Sequence, residues 1–393
     1  MTARQIALEL LDAWPRARQF ADELLDERAK LPAQDRAFVQ ELFYGCLRQR
    51  LALDYLIESV AGKKPRPVVA NLLHLGLYQL HYQKTAPHAA VHETVELAKQ
   101  HVSPAEVRFI NAVLRKTDPA VLERSEPWVR LSHPRWLYDR HGAAWCEWNN
   151  QPPSIYIRIN TLRTGGATPP LPAEPTLHPL AWRVTDSAGM FASPAWKNGE
   201  FYVQDPSTLL AVDALDPQPG ESILDMCAAP GGKTTYIAAK MENRGQIIAA
   251  DSSNVRLGKV TENCRRLGVE IVATLACEGT RLTRCLRGSK FDRVLLDAPC
   301  SNTGVMRRRV DLRWRIQQEE IGRLAALQKR LLAVASELVK PGGVLVYSTC
   351  SLEPEENERV VEKLPGFVVE DQRATFPPSD NMDGAFVCKM GGA

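Results

Sequence analysis

Hydrophobic and polar positions divide the chain into three textures. Over residues 1 to 118, apolar side chains recur every three or four positions. "RQIALELLDAW", "QDRAFVQELFYGCLRQRLALDYLIESV" and "VVANLLHLGLYQLHYQ" each predict helix with an apolar stripe. Pro65, Pro67, Pro87 and Pro104 fall between these stretches, not within them. Striped helices this close in sequence predict an all-α bundle. Residues 119 to 203 are mixed. "HPRWLYDRHGAAWCEWNN" reads as helix and "SIYIRINTL" alternates like a strand, whereas "TGGATPPLPAEPTLHP" has no period and reads as loop or linker. A small α+β subdomain is expected there. Over residues 204 to 393, short apolar runs ("SILDM", "QIIAA", "RVLLDA", "GVLVYST") alternate with helical patterns. That alternation predicts a doubly wound α/β domain with a mostly parallel sheet.

Composition adds limits. A chain of 393 residues exceeds one ordinary core, in keeping with three segments. No apolar run approaches the roughly 18 residues of a membrane span. Arg4, Glu9 and Asp12 interrupt the stretch where a signal peptide would be apolar, so a cytoplasmic chain is expected. A net charge of +3 is too small to argue for nucleic acid by itself. The nine cysteines include no C-x-x-C pair and no Cys/His cluster at zinc spacing. All are expected as reduced thiols and no metal site is expected. His74, His81, His88 and His92 lack ligand spacing and read as ordinary helix or cap residues.

In doubly wound sheets ligands bind beyond the carboxyl ends of the strands, so the chemistry is sought after each apolar run. The first run opens into "CAAPGGKT", Cys227 to Thr234. This misses a phosphate-binding P-loop by one residue, Cys227 standing where the first glycine belongs. Gly231 and Gly232 allow close approach of backbone to a ligand. The second run ends at Asp251, about twenty residues on, the spacing of a ribose-binding carboxylate. Its competing reading is a helix N-cap, a role open also to Ser252 and Ser253. The third run ends "LLDAPCSNTG": Asp297 resembles a Walker-B aspartate, but a nucleotide-triphosphatase leaves Cys300 unexplained. The fourth ends "VYSTCSLEPEENE", with Cys350 at a strand end matching that of Cys300. Two thiols beside an adenosine-type ligand suit methylation at carbon 5 of cytosine. A thiolate adding to ring carbon 6 makes carbon 5 nucleophilic. A helix predicted from about Pro354 would help ionise the thiol, although Glu353, Glu355 and Glu356 would oppose it.

"DMCAAPGGKTT", "LLDAPCSNTGVMRR" and "YSTCSLEPEENE" resemble the signatures of the Nol1/Nop2/Sun family of RNA 5-methylcytosine methyltransferases. "QDRAFVQELFYGCLRQRLALDYLI", "HAAVHETVELAK" and "FINAVLRK" resemble a NusB-like helical domain. The order of the two is that of the bacterial members acting on small-subunit (16S) ribosomal RNA. The resemblance implies a Rossmann-like class I methyltransferase domain at 204–393, after a NusB-like domain at 1–118 and a small RNA-binding subdomain with linker at 119–203. It implies S-adenosylmethionine as cofactor, held by Cys227, Ala228, Ala229, Pro230, Gly231, Gly232, Lys233, Asp251, Arg256, Glu278 and Asp297. Glu278 stands where the family usually has aspartate. The resemblance makes Cys350 the nucleophile and Cys300 the residue that assists release, with Asp297 at the cytosine edge.

For the RNA itself, "VMRRRVDLRWR" gathers arginines around a tryptophan just after the Cys300 loop. Arginines pair with phosphates, and both residue types stack on bases. Arg307, Arg308, Arg313 and Trp314 are therefore expected RNA contacts, with Arg158 and Asn160 of "IRINTLR" as further candidates. The alternatives are a different RNA target (tRNA or 23S ribosomal RNA), a P-loop nucleotide-triphosphatase, a non-catalytic RNA-binding factor, or the same enzyme with Cys300 as the attacking thiol. A monomer with ribosomal RNA as partner and no membrane association is expected.

Overall fold

Local chemistry starts the helices of the first unit where the sequence places its prolines. Pro67, Pro87 and Pro104 each occupy the first turn of a helix, Pro67–His81, Pro87–Ala98 and Pro104–Lys116. Ahead of the last, Ser103 and Glu106 close a capping box. Helix Pro67–His81 is buried on every face from Val69 to Gln79, so it is the centre of the bundle. Helix Ala33–Arg48 packs against it at Gly45, where a β-carbon would stand 2.0 Å from the Tyr78 ring. Leu8, Leu11, Leu42, Phe43, Leu53, Leu72 and Leu114 fill the core between them.

This computed structural model describes residues 2–27, 31–166 and 168–392. It divides into two units, one of Met1–Pro152 with Met306–Ile316, the other of Pro153–Val305 with Gln317–Ala393. The helical unit therefore runs past residue 118. Helix Arg135–Asn150, read from the sequence as part of the middle subdomain, belongs to it, as does the arginine-rich segment 306–316. Val310 is buried in the helical core and Trp314 packs on it. No described helix is long and apolar enough to cross a membrane.

The second unit carries two sheets. The smaller is antiparallel, built from β1 (Tyr156–Ile159), β2 (Ala173–Pro175), β3 (Ala181–Val184) and β4 (Phe201–Val203) in the order β2-β3-β1-β4. The Pro-rich stretch expected as a linker supplies β2, an edge strand that tolerates proline; Ala167 within it lies outside the described residues. The larger sheet contains β5 (Ser222–Met226), β6 (Gln246–Asp251), β7 (Val272–Ala276), β8 (Phe291–Asp297), β9 (Val339–Thr349), β10 (Phe367–Thr375) and β11 (Ala385–Gly392). Its order is β10-β11-β9-β8-β5-β6-β7. β5 to β9 pair in parallel, and β11 joins β9 and β10 antiparallel. From β5 the chain winds out to β6 and β7, then returns to β8 on the other side. The topological switch thus falls between β5 and β8, where a ligand crevice is expected. Asp251 pairs with Ala276 and Asp297 with Ser348, so the strand ends that carry the motifs share one edge.

Candidate active site

After β5 the backbone turns sharply through Cys227, at φ +62°, the residue that replaces a P-loop glycine. Ala228 N–H donates to the Ala250 carbonyl, fixing the loop to β6. Gly231, at φ +101°, caps helix Gly232–Lys240 in a conformation that suits glycine. The two residues a P-loop would turn on phosphate and metal are engaged otherwise. Lys233 Nζ pairs with Asp297 Oδ2 at 2.7 Å, and Thr234 Oγ1 donates to Asp225 Oδ2 at 2.6 Å. Burial opposes the Lys233 charge, but Asp297 outweighs it and the ammonium is held protonated.

Asp251, at the end of β6, is nearly inaccessible and accepts from the N–H groups of Ala229 (3.3 Å) and Ser253 (2.9 Å). The cap of the next helix, Asn254–Leu267, is Ser253. Arg256 bridges Asp251 and the Ala229 carbonyl and so braces the loop. Glu278 follows β7 on the same edge, exposed and paired with Arg281 at 3.2 Å. Asp297 also accepts from Ser348 Oγ at 2.8 Å. Burial pushes the Cys227 thiol up to about 12, with Asp297, Asp251 and Asp225 adding to the effect, so it stays neutral.

Cys300 and Cys350 meet. Their sulfurs lie 3.4 Å apart, each beyond the carboxyl end of one of two adjacent parallel strands, β8 and β9. The Cys350 thiol is also 3.1 Å from Asn302 Oδ1, and Asn302 Nδ2 donates to the Cys300 carbonyl. The hydrogen bond to Cys350 comes first, and burial second, in pushing the Cys300 thiol well above its ordinary range. Cys300 is thereby held as a thiol.

Other sequence expectations fail here for identifiable reasons. The arginine-rich segment turns inward. Arg313 is wholly buried in the helical unit, its guanidinium donating to the carbonyls of Arg48, Ser132 and Asn149 and to Asn150 Oδ1. Arg48 and Asn149 lie at helix C-termini, whose carbonyls lack intrahelical partners; a buried arginine fork supplies the donors. Trp314 Nε1 donates to the Leu47 carbonyl. Arg307 lies over the Trp148 ring and donates to the Pro152 carbonyl, and Arg308 is half-buried. Arg158 is buried and binds Gln204 Oε1, the Gly232 carbonyl and Thr235 Oγ1, between the rings of Tyr202 and Tyr236. It ties β1 to the start of the loop's helix. Asn160 joins the Gly199 and Leu267 carbonyls. Arg158, Asn160 and Arg313 are internal braces, not RNA-facing groups. No helix starts at Pro354: residues 354–357 form a turn before the one-turn helix Glu358–Val361, which is too short for a useful dipole. Nor are all nine cysteines free. Cys277, just after β7, is disulfide-bonded to Cys285, because the intervening turn brings the two together.

Sequence reasoning missed Asp225, Asn302 and Glu356. Asp225 lies inside the quoted loop motif at a strand end, which was signal enough. It is fully buried, and its Oδ1 has no hydrogen-bond partner among the described residues. An orphaned carboxylate oxygen there, with Asp251 and Asp297 beside it, fits a ligand that brings both hydroxyl donors and positive charge. Ribose hydroxyls, an ammonium and a sulfonium are what S-adenosylmethionine brings.

A seven-stranded sheet with this switch point, a glycine loop after β5 and an acidic residue ending β6 defines an S-adenosylmethionine-dependent methyltransferase of the Rossmann-like class. Residues 212–391 match the 16S rRNA methyltransferase RsmB/F family and residues 1–119 the NusB family. The chain belongs to the RsmB/F methyltransferase family. It is 32% identical, across 99% of its length and 98% of the relative's, to the probable ribosomal RNA small subunit methyltransferase B of Bacillus subtilis. It is 36% identical, over 91% and 90% of the two lengths, to ribosomal RNA small subunit methyltransferase B of Yersinia pseudotuberculosis. Among solved structures, that of PH0851 shares the fold with a TM-score of 0.81, at 24% identity, covering 99% of each chain.

Proposed function

We propose that this protein methylates carbon 5 of a cytosine in small-subunit ribosomal RNA, through a covalent bond between Cys350 and the base. The observation that carries the reading is the pair of thiols 3.4 Å apart beyond the ends of β8 and β9. The names of the relatives support the RNA class. S-adenosylmethionine, when bound, supplies an electrophilic methyl group. Asp251 would take the ribose hydroxyls, and Asp225 and Asp297 the positively charged end. Cys350, giving up its proton to water, forms a sulfur–carbon bond at ring carbon 6, which makes carbon 5 nucleophilic enough to take the methyl group. The carbon 5 proton then leaves to water as the sulfur–carbon bond breaks. Cys300, still protonated, hands its proton to the departing sulfur and is reprotonated from solvent. Lys233 holds the Asp297 carboxylate in place through their ion pair. A target inside a duplex would have to be extruded first.

The test is adduct trapping on denaturing gels with methyl-labelled cofactor and small-subunit ribosomal RNA. Cys300→Ala should accumulate a labelled protein–RNA adduct and Cys350→Ala should form none. An adduct in Cys350→Ala would reverse the two roles. Methylation of transfer RNA or large-subunit RNA in its place would overturn the substrate assignment.

A further inference from the structure

Behind the two thiols lies a carboxylate that the reaction as written does not use. Glu356 is completely buried, and every partner of its carboxylate is a neutral donor. Ser301 N–H donates to Oε1 at 3.0 Å, and its hydroxyl donates to Oε2. Ser351 Oγ donates to Oε2 at 2.5 Å. Gln328 Nε2, from helix Gln318–Glu337, donates to Oε1 at 2.9 Å and also holds the Pro299 carbonyl. Ser301 follows Cys300 and Ser351 follows Cys350, so one carboxylate grips the residue next to each thiol. The carboxylate is itself fixed: Tyr347 OH donates to the Glu356 carbonyl at 2.6 Å, and Asn357 bridges Thr349 and Ser351. Burying a carboxylate without a cation is unfavourable, so an arrangement that keeps one needs a return for it. The return visible here is geometric, because among the described residues no other side chain contacts both thiol loops with as many bonds.

We propose that Glu356 is the positioning residue of the two-thiol site, the clasp that sets the separation and facing of Cys300 and Cys350. The inference rests on reading those cysteines as the reacting pair. Attack needs the Cys350 sulfur aimed at the base, and release needs Cys300 within proton reach of that same sulfur. A clasp between the loops therefore governs both steps, whereas each thiol governs one. Misplacement by about 1 Å can cost about a hundredfold in such a step.

The experiment uses the full-length protein and dibromobimane, which bridges two close thiols with loss of two bromides and two protons. The Cys300–Cys350 bridged peptide is quantified by mass spectrometry, below the melting temperature of every variant. Glu356→Gln keeps the size but turns an NH2 group on a ring of donors. It should slow bridging about tenfold while binding S-adenosylmethionine within twofold of wild type. In the RNA assay it should both form the adduct more slowly and release it more slowly. Ser301→Ala should slow release alone, and Ser351→Ala attack alone. Bridging at the wild-type rate in Glu356→Gln would overturn the inference, as would rates that merely follow the loss of folded protein. If bridging slows but Cys300→Ala traps no RNA and wild type methylates none, the clasp stands and the cytosine reading falls.

Discussion

Replacing Arg313 with methionine separates an internal brace from an RNA contact. The guanidinium is wholly buried and its acceptors, three backbone carbonyls and the Asn150 amide oxygen, lie 2.8–3.3 Å away. Burial pushes the Arg313 pKa down to about 9, the mark of a costly cation. Methionine fills much of the space and removes that cost, but it leaves four acceptors without donors. At about 1–3 kcal/mol for each unsatisfied group, and with several kcal/mol returned by not burying a charge, the net loss is about 3 kcal/mol. A unit of this size loses about 2–4 °C per kcal/mol, so its calorimetric transition should fall by about 6–12 °C. An RNA contact behaves differently. Its loss would leave the transition in place, weaken binding across RNA sequences and reduce the salt dependence by about one unit. Melting within 2 °C or so of wild type, together with that change in salt slope, would refute the brace.

Other consequences are equally specific. Burial pushes Asp225 from 3.8 up to about 7, so the folded protein keeps a proton that the unfolded chain releases. Wild type should therefore lose stability as pH rises through that window, and Asp225→Asn should flatten the slope in melts run at stepped pH. Saturating S-adenosylmethionine should flatten it too, if its positive charge meets Asp225. Gly304→Ala would put a β-carbon 2.6 Å from the Gly384 carbonyl oxygen and 2.8 Å from that of Cys350. It should destabilise by about 1–3 kcal/mol and cut adduct yield more than cofactor affinity, read by trapping and by calorimetric titration.

The parts of this structure that were legible are those where pattern and chemistry agree. The central strands β5, β6, β8 and β9 are apolar runs because both sheet faces are covered, and such runs stand out from polar flanks. The two cysteines were found by their matched places after such runs. β10 was missed because "FVVEDQRAT" is mostly solvent-facing at the sheet edge and shows no buried stripe. β7 is short and half exposed for the same reason. Arg158 and Arg313 misled because charge is read as surface, and one sequence cannot show that helix-end carbonyls wait for a guanidinium. Glu356 was visible only as an acid that would oppose a helix dipole. Two of its three donor residues, Ser301 and Gln328, are 55 and 28 residues away.

The segment Met306–Ile316 bears on how the chain is made. Asp311 within it accepts from Trp14 Nε1 and the Ala21 amide, and its neighbours close the carbonyls of Arg48 and Leu47. The first unit is thus completed by residues encoded roughly 160 positions after its main body ends. At 5–20 residues per second, a ribosome leaves it waiting for about 8–30 s with an incomplete core. A nascent chain in that interval is a natural client for chaperones. A fragment cut at residue 152, the boundary a domain hunter would choose, would carry the same gap permanently.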